Sequence, residues 1–345
     1  MNLIDLRSDT VTKPTPEMRE AMLKAEVGDD VYEDDPTVNR LQEMAASLLG
    51  KEDALFVASG TMGNLLALLT HCQRGEEVIL GESSHIYLNE VAGMAALGGM
   101  QACPVKNQSD GTLALGDIRA SIRTEDVHHA ITRLVCIENT QNICGGVPLT
   151  AAYTKSVGEL AHENNLRFHI DGARIFNSAV AQNISVKELV APADSVMFCL
   201  SKGLCAPIGS MLVGSKTFIK RARHLRKMLG GGMRQVGVIA AAGIYSLENM
   251  IERLDDDHAR AKKLADGLRQ VKGLIVDAGS PATNMVYFNL SDEVKLNAEQ
   301  ISVEMGKRGV IIGPEDARRF RLVTHYWIDD AAVEKTVSAF REIVQ

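Results

Sequence analysis

Short runs rich in β-branched and aliphatic residues alternate with helical patterns over most of this 345-residue chain, and this alternation limits the possible folds most strongly. The sequence predicts strands at 54–58, 77–80, 133–138, 166–170, 195–200 and 210–213, and helices at 61–70 and 151–164. The run 134–137 is apolar throughout, which is typical of a strand with both faces buried. We therefore predict an α/β fold in which helices cover both faces of a mostly parallel sheet.

The pattern changes after about residue 255. A charged helix is predicted at 258–271, followed by a strand at 284–289, a helix at 298–308 and a strand at 321–324. The sequence contains no low-complexity tract or Pro/Ser-rich linker between the two parts. We expect an N-terminal arm and a large domain in residues 1–255 and a smaller α+β domain in residues 256–345.

Charge and hydropathy exclude several classes of function. The chain has 37 Lys and Arg against 44 Asp and Glu, so it lacks the basic excess that nucleic-acid binding needs. The mostly apolar stretch 236–244 is too short for a bilayer, which takes about 20 residues, and residues 1–9 do not read as a signal peptide. The 6 cysteines form no C-x-x-C pair and the 9 histidines no H-E-x-x-H spacing. We expect a cytoplasmic protein that acts on a small molecule without a metal.

A lysine follows the predicted strand 195–200 almost directly, in the run Ser201-Lys202-Gly203. A lysine among apolar neighbours loses proton affinity through desolvation, which makes its amine available for Schiff-base formation. The alternative is a side chain that extends from the strand end into solvent, and this segment alone favours that alternative.

An acid, Asp171, closes the predicted strand 166–170, and Arg174 follows three residues later. A carboxylate at the carboxyl edge of a sheet can keep a pyridine nitrogen protonated, as an electron-sink cofactor requires. Arg174 could reach the same ring or a substrate carboxylate. An Asp–Arg surface pair explains the run equally well when it is taken alone.

Small residues join the predicted strand 54–58 to the helix 61–70. The backbone amides at this helix N-terminus, with Gly60 and the hydroxyl of Thr61, form a candidate phosphate site. The turn has neither the G-K-[ST] of a Walker loop nor a G-x-G-x-x-G pattern, so by itself it is a weak indication.

Two histidines and one arginine complete the candidates. His85 follows the predicted strand 77–80 and could stack on an aromatic cofactor or transfer a proton, although a lone histidine is more often an ordinary polar residue. His128 and His129 are adjacent, so we expect only one of them to face a site. Arg234 comes shortly after three glycines, and glycines allow the backbone to approach an anion closely, here at a subunit boundary. The alternative is that this segment and the basic helix before it form an ordinary solvated face.

Together these groups resemble the site of a fold-type I pyridoxal 5'-phosphate (PLP) enzyme, and longer runs resemble the low-specificity L-threonine (L-allo-threonine) aldolases. The runs that carry this resemblance are spread over the chain: LRSDTVT at 6–12, VGDDVY at 27–32, HIDGARIF at 169–176, LSKGL at 200–204, GGGMRQ at 230–235, TNMV at 283–286 and RLVTH at 321–325. The resemblance implies an aspartate aminotransferase-like fold, with a mostly parallel sheet in the large domain and a smaller α+β C-terminal domain.

The resemblance also implies a reaction and an assembly. The reaction is the reversible, PLP-dependent cleavage of L-threonine, L-allo-threonine or related β-hydroxy-α-amino acids to glycine and an aldehyde. The assembly is a homotetramer, a dimer of dimers with shared active sites. The same scaffold supports aminotransferases and β-eliminating lyases, and a PLP-binding protein without catalysis is a further alternative.

The matching positions receive cofactor roles from the resemblance. Lys202 would form the Schiff base with PLP, Asp171 would pair with the pyridine nitrogen, and His85 would stack on the ring. The phosphate would be held by Gly60, Thr61 and Ser201.

Substrate roles follow in the same way. The substrate carboxylate would be held by Ser8, Arg174 and Arg321. Tyr32 would approach the substrate, and Arg234 the cofactor, from a neighbouring subunit. His128 would face the side-chain hydroxyl of the substrate, and the base is His85, His128 or a water molecule that they position.

Two residues depart from the family's usual wording. Glu33 stands where the family has glycine after Val-Tyr, and Gln141 replaces a histidine after Glu-Asn-Thr. Neither change removes a residue with an implied role, and we expect the changes to alter the substrate-facing pocket or the interface.

Overall fold

The computed structural model describes residues 3–344, which form two compact units. One unit is Pro14–Ile251, and the other combines the N-terminal segment through Lys13 with the chain from Glu252 onward. The sequence-based division kept the N-terminal arm with residues up to 255. In the structure the arm groups with the C-terminal unit because Ile4–Asp5 pairs in parallel with Val310–Ile311.

The strands and helices of the described residues follow in chain order. The strands are β1 (Ile4–Asp5), β2 (Asp53–Val57), β3 (Glu76–Gly81), β4 (Gln101–Val105), β5 (Ile131–Glu138), β6 (Arg167–Asp171), β7 (Ser195–Cys199), β8 (Ser210–Gly214), β9 (Leu274–Val276), β10 (Met285–Leu290), β11 (Val310–Ile311), β12 (Gly313–Pro314) and β13 (Arg319–Val323). The helices are α1 (Pro16–Leu23), α2 (Pro36–Leu49), α3 (Gly60–His71), α4 (His85–Leu88), α5 (Gly93–Ala96), α6 (Leu115–Ser121), α7 (Ala151–Glu163), α8 (Ile175–Gln182), α9 (Val186–Val190), α10 (Lys216–Met228), α11 (Gly237–Asn249), α12 (Leu254–Arg269), α13 (Ala298–Lys307) and α14 (Asp330–Val344).

The larger unit is built on a seven-stranded sheet in the order β2-β8-β7-β6-β5-β3-β4. The strands β7, β6, β5, β3 and β4 are parallel, whereas β8 runs antiparallel to both β7 and β2. The predicted α/β fold with a mostly parallel sheet is therefore confirmed. The carboxyl ends of the parallel strands meet at one edge, where ligands bind in sheets of this kind.

Local sequence explains where the helices begin and end. The carboxylate of Asp35 accepts hydrogen bonds from the backbone N–H groups of Thr37 and Val38, and Pro36 occupies the first turn, so α2 begins there. Gly50, with φ 65°, ends the helix in a left-handed conformation that glycine adopts without strain. The hydroxyl of Ser59 accepts from the Met62 N–H in the same way and fixes the start of α3.

The strand β4 has no counterpart among the predicted elements. Its sequence, Gln-Ala-Cys-Pro-Val, is partly exposed and contains a proline, which is tolerated at the edge of a sheet and weakens the strand pattern. Every predicted strand, by contrast, lies within two residues of an observed one.

The smaller unit has a four-stranded antiparallel sheet in the order β12-β13-β10-β9. Its core includes the stacked rings of Phe288 and Phe320, 5.2 Å apart, with Phe340 of α14 packed edge-on against Phe288. Within residues 3–344, no helix has the length and the apolar character that a membrane span requires.

Candidate active site

Four chain segments bring polar side chains to the carboxyl edge of the large sheet. Asp171 is the last residue of β6, and its register partner Glu138 is the last residue of β5. His85 opens α4 shortly after β3, and Lys202 follows β7 by three residues. The order of the strands places these segments together although up to 117 positions separate them in the sequence. Three of the four residues, Asp171, His85 and Lys202, are ones that the sequence analysis named as candidates at or after strand ends.

Asp171 is held from two sides at this edge. Its side chain is buried, one carboxylate oxygen accepts from the Ala173 N–H at 3.1 Å, and the other accepts from the Asn64 amide at 2.9 Å. A carboxylate fixed in this way has a defined direction in which to face a bound cation or a protonated ring nitrogen.

His85 is tied to the same cluster through a carboxylate that sequence analysis missed. Its Nδ1 lies 2.8 Å from Oε1 of Glu90, and its backbone N–H donates to Glu138 at 2.8 Å. The hydrogen bond to Glu90 is the largest cause of a raised pKa of His85, against which burial and the positive charge of Lys202 act. The charge of Asp171 raises this pKa further, so the four groups are electrostatically linked.

Glu138 is a second missed acid. Burial, followed by the negative charge of Asp171, raises the pKa of Glu138 to about 7. Its two oxygens accept from the backbone N–H groups of His85 and Asn142. The rule that identified Asp171, an acid at the end of an apolar strand, would also have identified Glu138, because it ends the predicted strand 133–138.

Asn64 is a third residue that sequence reasoning missed. It is fully buried on α3, and its amide nitrogen donates to Glu90 at 2.8 Å as well as to Asp171. Its position four residues after Gly60, on one face of the predicted helix, was the available signal.

The turn from β2 into α3 has the geometry of an anion site. A side chain at Gly60 would place its Cβ 2.9 Å from Sγ of Cys199, so glycine allows the helix to begin close against β7. Thr61 is exposed at the N-terminus of this twelve-residue helix, where backbone N–H groups point outward. Ser201 and Lys202 are half-buried and Arg174 is buried at the start of α8.

Tyr32 and Arg234 lie on two segments that are joined to each other. The backbone N–H of Asp30 donates to the Arg234 carbonyl, and the Arg234 guanidinium lies 2.9 Å from the Asp29 carboxylate. Tyr32 has 73 % of its surface exposed, so its ring faces outward from this chain. Behind these segments, the buried Arg226 pairs with Asp30 at 2.6 Å.

Ser8 and Arg321 belong to the smaller unit. The hydroxyl of Ser8 accepts from the Thr10 N–H at 3.2 Å. Arg321 on β13 donates to the Arg7 carbonyl at 3.3 Å and lies 3.4 Å from the Glu315 carboxylate.

His128 is placed apart from the other candidates of its own chain. It lies in the loop before β5, 83 % of its side chain is exposed, and Nδ1 contacts Asp126 at 2.7 Å. Because β5 runs from Ile131 to Glu138, a span of roughly 23 Å at about 3.3 Å per residue, this loop is at the opposite edge of the sheet from Glu138.

A cavity of about 800 Å³ also opens at this opposite edge, beside His71 and Asp194. Among the described residues, none of the predicted site residues lines it. Its size therefore does not mark the candidate active site, which is defined by the chemistry at the carboxyl edge.

Comparisons with known proteins give a consistent picture. A profile of the family described as Beta-eliminating lyase matches residues 5–291. The chain is 50 % identical over 343 residues to a probable low-specificity L-threonine aldolase 2 of Arabidopsis thaliana, covering 99 % of this chain and 97 % of that protein. It is 49 % identical to the low specificity L-threonine aldolase of Escherichia coli K12, with 94 % of each chain covered. The solved structure of the Leishmania major threonine aldolase matches with a TM-score of 0.83 at 20 % identity, over 99 % of this chain and 100 % of that one.

Proposed function

Because this chain belongs to the beta-eliminating lyase family and, within it, to the low-specificity L-threonine aldolases, we propose that it cleaves L-threonine, L-allo-threonine and related β-hydroxy-α-amino acids reversibly to glycine and an aldehyde. The resemblance read from the sequence motifs is thereby confirmed. The observation that carries the proposal is the joint placement of Asp171, His85 and the segment of Lys202 at one edge of the sheet.

The residues at this edge fit pyridoxal 5'-phosphate. A buried carboxylate with fixed hydrogen bonds suits a protonated pyridine nitrogen, the N-terminus of α3 beside Gly60 suits a phosphate, and Lys202 follows a strand end. When bound, PLP supplies an electron sink that stabilises negative charge at Cα of an amino acid.

The protein's own residues then have distinct tasks. Asp171 would face the ring nitrogen and keep it protonated, Lys202 would hold the cofactor through its amine, and Gly60, Thr61 and Ser201 would hold the phosphate. Arg174 binds the substrate carboxylate, a role that motif matches assign also to Ser8 and Arg321.

Proton transfer falls to the groups around the substrate hydroxyl. The Nδ1 atom of His85 is bound to Glu90, so Nε2 is the ring nitrogen that can take a proton. His128, or a water molecule that the histidines position, is the alternative base.

The proposed assembly is a homotetramer with shared sites. Tyr32 and Arg234 are mostly exposed and their segments are joined, so both can reach the site of a neighbouring subunit as one surface. His128 can contact substrate only in a neighbouring subunit's site, because β5 separates it from its own chain's site. We also propose a cytoplasmic location, which agrees with the free thiols of the 6 cysteines. A role in supplying glycine, a product of the proposed cleavage, is part of the same proposal.

The direct test is aldehyde release from cofactor-loaded protein given L-threonine and L-allo-threonine in separate assays. Acetaldehyde and glycine in equal amounts support the proposal, and the ratio of the two rates gives the diastereomer preference. A keto acid without aldehyde would instead assign an aminotransferase or β-eliminating activity, and cofactor binding without any product would indicate a non-catalytic protein.

The shared-site proposal has its own test. His128→Phe should change the ratio of the two diastereomer rates, and mixing it with the inactive Lys202→Ala chain should restore the original ratio in mixed oligomers. An unchanged ratio in His128→Phe would remove His128 from the site. Full activity of a diluted monomer would contradict shared sites altogether.

A further inference from the structure

Glu90 is a buried carboxylate in contact with two neighbours that matter to the site. It follows α4 in the turn before α5, its exposed fraction is 6 %, and one oxygen, Oε1, lies 2.8 Å from both Nδ1 of His85 and the amide nitrogen of Asn64. The sequence motifs give it no task, and the proposed mechanism uses it only as the partner of Nδ1 of His85. A carboxylate so buried is costly unless hydrogen bonds compensate its desolvation.

The amide of Asn64 can have only one orientation in this environment. Its two N–H groups face the carboxylates of Glu90 and Asp171, which accept hydrogen bonds, and its oxygen lies 3.2 Å from Nε2 of His169. His169 must therefore donate from Nε2, and its Nδ1 accepts from the hydroxyl of Ser195 at 2.8 Å. The amide is locked because every one of these groups has its partner.

This locked amide fixes Glu90, and Glu90 in turn fixes His85. Since the ionised carboxylate only accepts, Nδ1 of His85 must carry the hydrogen in their contact. The neutral ring then has its lone pair on Nε2, the nitrogen that faces away from Glu90. The same logic orients histidines beside carboxylates in other catalytic and metal sites.

We propose that Glu90 is the positioning residue that selects the Nδ1–H tautomer of His85 and holds its ring plane, with Asn64 linking this pair to Asp171. One part of the inference rests on the proposed function: that Nε2 of His85 accepts the hydroxyl proton of the substrate. The tautomer itself is a property of the protein alone.

Other charged groups near His85 act on it without selecting a tautomer. Glu138 accepts the backbone N–H of His85 and not a ring nitrogen. Asp171 and Lys202 act on the ring through their charges, in opposite directions. Removal of Glu90 is therefore the perturbation that addresses Nδ1 specifically.

The test compares Glu90→Gln with Glu82→Gln in the cofactor-loaded protein. Both variants remove one negative charge from the same chain segment and keep the side-chain length, and Glu82 is exposed at the end of β3. Histidine labelled with ¹³C and ¹⁵N reports the tautomer and the pKa of His85, whose signals are assigned by their loss in His85→Asn.

We expect Glu90→Gln to lower the pKa of His85, because it removes the hydrogen bond that is the largest cause of the raised pKa, and to mix the two tautomers, while Glu82→Gln leaves both unchanged. The acid limb of the kcat/KM profile should move by the same amount, with kcat reduced at least tenfold and KM changed by less than threefold. Glu90→Asp keeps the charge but is shorter, so it should change the proportion of the two tautomers of His85 in the same direction and to a smaller extent. This variant also provides the test if Glu90→Gln does not fold.

A His85 that keeps its tautomer and pKa in both Glu90 variants would overturn the proposal, and so would an equal shift in Glu82→Gln. A tautomer that shifts in the Glu90 variants, while the unmutated loaded protein releases no aldehyde from either substrate, would support the positioning role and refute the proposed function. The two failures are thus separable.

Discussion

Glu33 is held in a backbone conformation that disfavours it, and this allows a quantitative prediction. Its φ of 63° and ψ of 25° lie in the left-handed region, which favours glycine. The conformation is held by hydrogen bonds, since the Glu33 N–H donates to the Asp30 carbonyl at 3.1 Å and the Glu33 carbonyl accepts from the Asn39 amide at 2.7 Å. The backbone therefore cannot relax without losing them.

Two variants separate the backbone strain from the side-chain contact. Glu33→Ala removes the contact to Arg223, whose Nε lies 3.5 Å from the exposed carboxylate, but keeps the strain. Such an exposed pair contributes about 0–1 kcal/mol. Glu33→Gly removes the same contact and also the left-handed cost of roughly 1–2 kcal/mol, offset by about 0.5–1 kcal/mol for glycine's freedom in the unfolded chain. The Gly variant should thus be more stable than the Ala variant by roughly 0.5–1 kcal/mol.

Thermal unfolding of the two variants, side by side at one protein concentration, measures this difference. For a unit the size of Pro14–Ile251, 1 kcal/mol corresponds to about 2 °C in Tm. We expect the order Gly above Ala, with Glu33 itself between them or close to the Gly variant. An Ala variant that melts at or above the Gly variant would refute the strain argument, because both lack the ion pair.

Three other perturbations have defined outcomes. Arg226→Met should lower the unfolding free energy by about 3–5 kcal/mol in urea titration, because it leaves the Asp30 carboxylate buried without its 2.6 Å partner, and adding Asp30→Asn should recover part of the loss; a loss below 1 kcal/mol would contradict this. Burial lowers the pKa of His71 to about 4 and of His169 to about 3, so both side chains are neutral in the folded protein at pH values where the unfolded chain already binds protons. The free energy of unfolding should therefore be highest above pH 6.5 and should fall as the pH drops towards these pKa values, by about 1.4 kcal/mol per pH unit for each histidine. A His169→Gln chain whose unfolding free energy falls with acid as steeply as that of the unmutated protein would contradict this. Lys202→Ala should abolish the visible absorption of the loaded protein while Lys155→Ala, an exposed control, keeps it.

Much of the fold followed from patterns of short range. The short apolar and β-branched runs placed every predicted strand within two residues of its position, because such a run is a local property of the sequence. The edge strand β4 was not predicted, because edge strands are half-exposed and tolerate proline. The antiparallel direction of β8 was not predicted either, since its residues alone do not show in which direction it pairs.

The same local patterns identified only some of the residues of the candidate site. Lys202 and Asp171 were recognisable because a charged residue at the end of an apolar strand is unusual, and Glu138 could have been found by that rule. Glu90 and Asn64 carried no such signal. Asn64 is 107 residues from Asp171 in sequence, and their contact exists only because α3 packs on the sheet beside β6.

The sequence by itself determined most strands of the large sheet, several of the helices, and which chemical groups stand at strand ends. The tertiary structure alone decided which of these groups share hydrogen bonds, that Glu90 rather than Glu138 receives the ring of His85, and that His128 lies at the far edge of the sheet. The physical reason is range. Periodicity and capping act between residues within about one turn, whereas the order and direction of strands in the sheet place side chains more than a hundred residues apart within 3 Å of each other.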